Sequence, residues 1–336
     1  MSASEIVAEV RARGFEAVRE WALRLDGVEP AVATPLAVDL PRDALLELAA
    51  RVERWHALQR PPDVALEVAP GIRLERRWLP LDTVGIYIPR NLVSTLVMCS
   101  VPARAAGVRR LVIATPPEGA GLVAAAAEIL GLGEVWAVGG AQAVAWLAYV
   151  ERVDKIVGPG GRHVNEAKLL VARDVPIDLP AGPSEVVVLS ADGADGRIVE
   201  LELAAQAEHG PDSVCRRVDA DGDLSAALAE VERMAPEHLV LLGAEAEQLA
   251  GRVRNAGAVF VGPHSPVAAG DYATGGNHVL PTGGFARAVG GIGLETFLKP
   301  VTIQRLTAEG LANARPIVEA LAAVEGMPAH AAAVQR

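Results

Sequence analysis

A chain of 336 residues has room for two domains, and its 51% hydrophobic but only 4% aromatic composition calls for Ala- and Val-rich helices packed closely on Val/Ile/Leu strands. The net charge of −11 and the absence of a Lys/Arg-rich run exclude a nucleic-acid footprint. No apolar run is long enough for a membrane span, the charged amphipathic start has no signal core, and the cysteines Cys99 and Cys215, without CxxC spacing, read as small buried thiols of a reducing, cytoplasmic compartment.

The first 22 or so residues read as one helix, and a charged helix follows at about 42–57. TVGIYI (83–88) has the continuous apolar run of a buried strand. VPARAAGV (101–108) lies in a helix that leads to the strand RRLVIATPP (109–117). The helix GLVAAAAEILG, the short strand EVWAVGG and the helix AQAVAWLAYV come next. Strand and helix alternate over short connections, the pattern of a parallel sheet covered on both faces, so the fold class is α/β.

A second series begins at IDLPAGPSEVVVLS (177–190), which leads into a strand. ADGADGRIVELELAAQAEHG (191–210) opens on aspartates suited to capping and continues as a helix. PEHLVLLG (236–243) and AGAVFVG (256–262) each have a strand core. GPHSPVAAGDYATGGNHVLPTGG (262–284) reads as a long Gly- and Pro-rich loop, and in a compact domain such loops carry function. From about Thr307 the tail is helical.

The polar residues concentrate in this second series. Of seven histidines, His163, His209, His238, His264, His278 and His330 stand near turns or element ends, while His56 reads as a surface group. In LAAQAEHGPDS (203–213), Gln206 and His209 are spaced i, i+3 and share a face if the helix reaches them. Imidazole nitrogen combined with amide or carboxylate oxygen suits zinc and admits manganese or cobalt. Yet Q-x-x-H is no standard zinc spacing and HExxH is absent, so spacing alone leaves a metal site and a set of satisfied polar residues both open.

PIDLPAGPSEVVVLSADGADGRIVELELAAQAEHGPDS, APEHLVL, AGAVFVGPHSPVAAGDYATGGNHVLPT and FLKPVTIQRLT resemble successive blocks of the histidinol dehydrogenase family. The resemblance runs from about Thr83 to the C-terminus. It implies two doubly wound, Rossmann-like domains with parallel sheets and small helical segments at both ends. The expected layout is an N-terminal helix (1–22), a discontinuous domain (23–86 with 185–292) carrying most of a metal site, a cofactor-side domain (87–184) and a dimerisation tail (293–336). The activity it implies is the NAD-dependent, four-electron oxidation of L-histidinol to L-histidine through histidinal, the last steps of histidine biosynthesis.

The family's zinc ligands fall on Gln206, His209, Asp271 and His330, and its acid–base pair on Glu237 and His238. Ser184, His278 and Glu325 match substrate contacts, and the ligands and the acid–base pair face the substrate too. Tyr87, Gln142 and Gly161 match cofactor contacts. Family members are intertwined homodimers, so Glu325 and His330 are expected to act in trans. Three departures stand out: YIPRNL (87–92) replaces a double-glycine loop, Gly161 replaces an asparagine in GPGGR (158–162), and the connection 214–235 is short. They motivate two other readings, a related zinc dehydrogenase for another small alcohol and a metal-binding homologue without catalysis.

Overall fold

The computed structural model describes residues 2–179 and 182–336. The chain forms two compact units, Met1–Gln59 with Leu81–Phe297, and Arg60–Pro80 with Leu298–Arg336.

The larger unit holds two sheets. In the first the order is Ala31–Val32, Val135–Ala137, Arg110–Thr115, Thr83–Tyr87, Lys155–Val157; neighbours are parallel except for the antiparallel edge pair at Ala31–Val32. The apolar runs that marked these strands are buried on both faces: Val84, Ile86, Ile113, Ala114, Ile156 and Val157 are all inaccessible or nearly so. Strand order reverses between Thr83–Tyr87 and Lys155–Val157, which opens a crevice at their carboxyl ends.

The second sheet is all parallel, ordered Ala258–Val261, His238–Leu242, Glu185–Ser190, Val214–Asp219. The Asp195 side chain caps the helix Gly196–Ala207 by accepting the Arg197 N–H. A helix between parallel strands runs back against them. Its last turn therefore returns to the amino edge of the sheet, where Glu185–Ser190 and His238–Leu242 begin.

The smaller unit contains an antiparallel sheet, Leu298–Leu306 beside Ile72–Pro80 beside Val64–Ala69, and the helices Ala308–Glu325 and Pro328–Ala333. The parallel α/β pattern did not predict this sheet. Its strands carry charges at alternate positions, and Glu75 pairs with Arg73, Arg77 and Arg305 on an exposed face.

Several expectations are corrected. The first helix is two, Ala3–Arg13 and Phe15–Leu25, because Gly14 turns to φ 64° between them. The expected boundary at 86/87 cuts the strand Thr83–Tyr87, which pairs with 110–115 and 155–157 and so belongs to the sheet of the cofactor-side segment. Residues 60–80 and 298–306 pair with each other instead of joining the expected neighbours. The 262–284 stretch is interrupted by a helix, Val267–Tyr272. His56 is buried, since it continues the apolar face Leu45, Leu48, Val52 of its helix. Cys99 is buried as expected, but Cys215 is exposed on the edge strand. Among the described residues no helix is long and apolar enough to cross a membrane.

Candidate active site

Ser184 and Glu237 immediately precede neighbouring strands of the second sheet, and His238 begins one of them. The Ser184 hydroxyl donates to Glu237 Oε2 at 2.6 Å, and the Glu185 N–H donates to the same oxygen at 2.8 Å. Gln206, in the last turn of its helix, donates its amide nitrogen to Ser184 Oγ at 2.8 Å. With the serine hydrogen committed to Glu237, Ser184 Oγ must accept here. That turns the Gln206 carbonyl oxygen to the end left for a ligand.

His238 Nδ1 lies 3.0 Å from the Glu185 carbonyl oxygen, which only accepts, so Nδ1 carries the ring hydrogen. Nε2 is then a bare lone pair. It is buried, has no hydrogen-bond partner among the described residues, and lies 4.0 Å from Asp271 Oδ1. The ring lines a cavity of about 190 Å³ with Phe260, Gly270, Asp271, Thr274 and His278. His278 differs: Nδ1 faces the Asp271 carbonyl at 3.1 Å and Nε2 faces Thr95 Oγ1 at 3.2 Å, so both its nitrogens are engaged.

His209 stands two residues beyond the last helical residue, Ala207, so it shares a side with Gln206 through a turn and not through the helix proper. Its Nδ1 faces the backbone carbonyl of Gln206 at 3.2 Å, which leaves Nε2 for a ligand. Asp271 is on the helix Val267–Tyr272. Glu202 joins the two helices by accepting the Val267 N–H at 3.1 Å, one turn before Gln206 on one and one turn before Asp271 on the other. Among the described residues no group of three His, Cys, Asp or Glu side chains is placed to hold a metal ion. In this unit the expected donors of that class number two, His209 and Asp271, beside an amide oxygen. An imidazole nitrogen, a carboxylate and an amide oxygen turned outward by Ser184 fit zinc chemically. Glu325 and His330 are exposed on the helices of the smaller unit.

A second cluster sits at the carboxyl edge of the first sheet. Tyr87 ends a strand, and its hydroxyl oxygen accepts the Gly140 N–H at 3.3 Å. Gln142 is buried, donates to Asp26 Oδ2 at 3.0 Å, and keeps a buried Oε1 with no partner among the described residues. Gly158 has φ 112°, and a Cβ there would fall 2.0 Å from the Tyr87 carbonyl oxygen, so only glycine fits. Gly161 precedes the helix Arg162–Val171 with nothing within 4 Å of a Cβ position, so the space a side chain would take is open. The orphaned amide oxygen and this glycine cradle fit a dinucleotide.

The family model described as histidinol dehydrogenase matches residues 1–225 and 216–336, the two pieces overlapping over 216–225. The histidinol dehydrogenase of Methanothermobacter thermautotrophicus is 38% identical over 99% of this chain and 92% of its own, and that of Nocardia farcinica 40% over 98% and 89%. The crystal structure of histidinol dehydrogenase from Elizabethkingia anophelis matches with a TM-score of 0.88 at 29% identity, covering 99% of this chain and 90% of that one. The chain belongs to the histidinol dehydrogenase family. It is accordingly an oxidoreductase.

Burial sets the charges of the candidate site. It pushes the Glu237 carboxyl up to about 8, against the pull of the Ser184 and Glu185 bonds. It pushes His238 and His278 down to about 4. Asp271 rises to about 6, again by burial, against the attraction of His209. The pair Glu237 and His238 is thus driven apart: a carboxyl that holds its proton near neutrality beside an imidazole that has lost it. No sequence pattern singles out Asp26 or Glu202, whose partners Gln142 and Val267 lie far along the chain. The only signal for Asp26 was an aspartate closing an amphipathic helix.

Proposed function

We propose that this chain oxidises L-histidinol to L-histidine in two successive hydride transfers to NAD, with zinc bound by Gln206, His209, Asp271 and His330. The observation that carries the reading is the bare, buried Nε2 of His238 beside a carboxyl held in place by Ser184. Zinc, when bound, supplies a positive template that orients the amino alcohol, and NAD supplies the hydride acceptor.

In the first oxidation His238 Nε2 takes the hydroxyl proton as the carbinol carbon loses hydride. A neutral imidazole at about 4 is free to accept it at any pH near neutrality. The second oxidation needs a tetrahedral carbon that still bears hydrogen, so water must first add to the aldehyde. Glu237, once ionised, takes a proton from that water, and Ser184 keeps its carboxylate aimed. His238 then accepts the second hydroxyl proton. His278, with both nitrogens engaged, holds its place as a substrate contact and not as a second base. Glu325 and His330 complete the partner's site in a homodimer.

The test is the number of NADH formed per L-histidinol, before and after chelation. Two NADH, abolished by the chelator and restored by zinc, is the expected result. One NADH would remove the second oxidation and with it the role of Glu237. No NADH from histidinol, with another small alcohol oxidised, would replace the substrate.

A further inference from the structure

We infer that Asp26 selects NAD over its 2′-phosphorylated form, by accepting a hydrogen bond from the 2′-hydroxyl of the adenosine ribose in the cavity it shares with Gln142. The inference rests on NAD being the oxidant and assigns a part of its site that the family motifs do not reach.

The cavity has a volume of about 240 Å³, and Asp26, Gln142, Gly140, Ile6, Leu25 and His163 are among the residues lining it. It has room for a sugar ring but not for a whole dinucleotide. None of Glu237, His238, Asp271 and His278 lines it. The nicotinamide must reach the carbon that loses hydride, so this cavity takes the half of the cofactor that does not react. Its apolar wall of Ile6 and Leu25 comes from the N-terminal helix pair and suits the faces of a base and its sugar.

The polar groups keep acceptor capacity that a diol can use. Gln142 gives its N–H to Asp26 and leaves Oε1 buried without a donor among the described residues. Asp26 is half-buried, and desolvation raises its carboxyl above the ordinary value against the bonds from Gln142 and the Gly139 backbone. Gln142 Oε1 has no donor among the described residues, the Asp26 carboxylate keeps lone pairs beyond the two bonds it accepts, and the ribose 2′- and 3′-hydroxyls are two donors on adjacent carbons. A carboxylate holding this diol is how nucleotide-binding α/β folds recognise an unphosphorylated ribose.

The surroundings explain why a carboxylate is needed for the choice. The helices Gly140–Tyr149 and Arg162–Val171 both present their first residues to the cavity, and neither has a side-chain cap. Two uncapped N-termini attract phosphate. Asp26 is the charge that opposes a 2′-phosphate dianion there, and Glu118 acts on it with the same sign.

The experiment measures equilibrium binding of NADH, NADPH and 2′-deoxyadenosine NADH to the zinc-loaded full chain, by dinucleotide fluorescence and without substrate. The parent should bind NADH about ten-fold or more tighter than either analogue. Asp26→Asn should lose NADH affinity, gain NADPH affinity and narrow their ratio by about ten-fold. An unchanged ratio in Asp26→Asn, or equal affinity of the parent for NADH and its 2′-deoxy form, overturns the inference while leaving NAD as oxidant. The 2′-deoxy comparison needs only the parent, so it decides even if the variant fails to fold. A parent that binds no dinucleotide would instead overturn the reading on which the inference rests.

Discussion

The Lys168 ammonium lies 2.5 Å from the Asp178 carboxylate, with both side chains 1% exposed. Together they grip one residue. Lys168 Nζ donates to the Gly158 carbonyl at 2.8 Å, and Asp178 Oδ2 accepts the Gly158 N–H at 2.7 Å. Asp178 Oδ1 also takes the Leu179 N–H at 2.7 Å, at the start of the segment that leads to Ser184. A buried ion pair fully used in this way orders the glycine loop against Tyr87.

Lys168→Met leaves Asp178 charged and buried without its partner. The expected loss is about 3–5 kcal/mol of folding stability. Adding Asp178→Asn to it should recover part of the loss. Urea denaturation of the two variants and the parent checks this, and a double variant less stable than Lys168→Met would refute it.

Glu202→Ala removes the bond that ties the start of the Asp271 helix to the Gln206 helix. The stability cost should resemble that of a lost helix cap, about 1 kcal/mol. The expected consequence for metal is larger, about ten-fold weaker zinc binding, because Gln206 and Asp271, the proposed ligands on those helices, lose their fixed separation. Competition with a chromophoric chelator reads the affinity directly. Zinc held as tightly as in the parent would show that Glu202 does not set the ligand geometry.

His238→Asn keeps a donor for the Glu185 carbonyl and removes the lone pair. Turnover should fall by about 10²–10⁴ in both oxidations, since the same base serves each. Glu237→Gln should spare the first oxidation and slow the second. In the parent, the second step should speed up as pH rises through about 8, where the Glu237 carboxylate forms. Single-turnover assays starting from histidinol and from histidinal separate the two steps. A pH profile for histidinal that is flat from 6.5 to 9 would deny Glu237 the role of base.

His56 gives a pH dependence of stability apart from the active site. Its Nδ1 lies 2.7 Å from the Val52 carbonyl, and burial lowers its pKa from the ordinary 6.5. The unfolded chain therefore takes up a proton that the folded chain refuses. Stability is full above about 6.5 and falls as pH drops below it toward the folded value. His56→Leu should flatten part of this slope between pH 7.5 and pH 5. Identical slopes in parent and variant, measured by urea midpoint, would rule His56 out as its source.

Much of the larger unit was legible in the sequence because its strands are buried on both faces. A run such as Val186–Leu189, short and rich in valine, reads as a central strand, and the helices between such runs follow from their length, with capping aspartates at Gly196–Ala207 and Leu224–Met234. The smaller unit was not legible. Ile72–Pro80 alternates charges and reads as surface until Leu298–Leu306, far along the chain, supplies its partner. Where a strand's identity lies in pairing and not in burial, no local pattern marks it.

The same division runs through the candidate site. Sequence by itself determined which residues are chemically equipped: Gln206, His209, Glu237, His238, Asp271 and His278 stood out by type, position and resemblance. It could not say which nitrogen of His238 is bare, since that depends on the Glu185 carbonyl at 3.0 Å on a neighbouring strand. Nor could it show that Gln206 turns its oxygen outward because Ser184 takes its N–H, or that Asp26 meets Gln142 across the chain. Tautomers, amide orientations and shifted charges arise from groups distant in sequence that share one buried volume, and only the tertiary structure decides which groups those are.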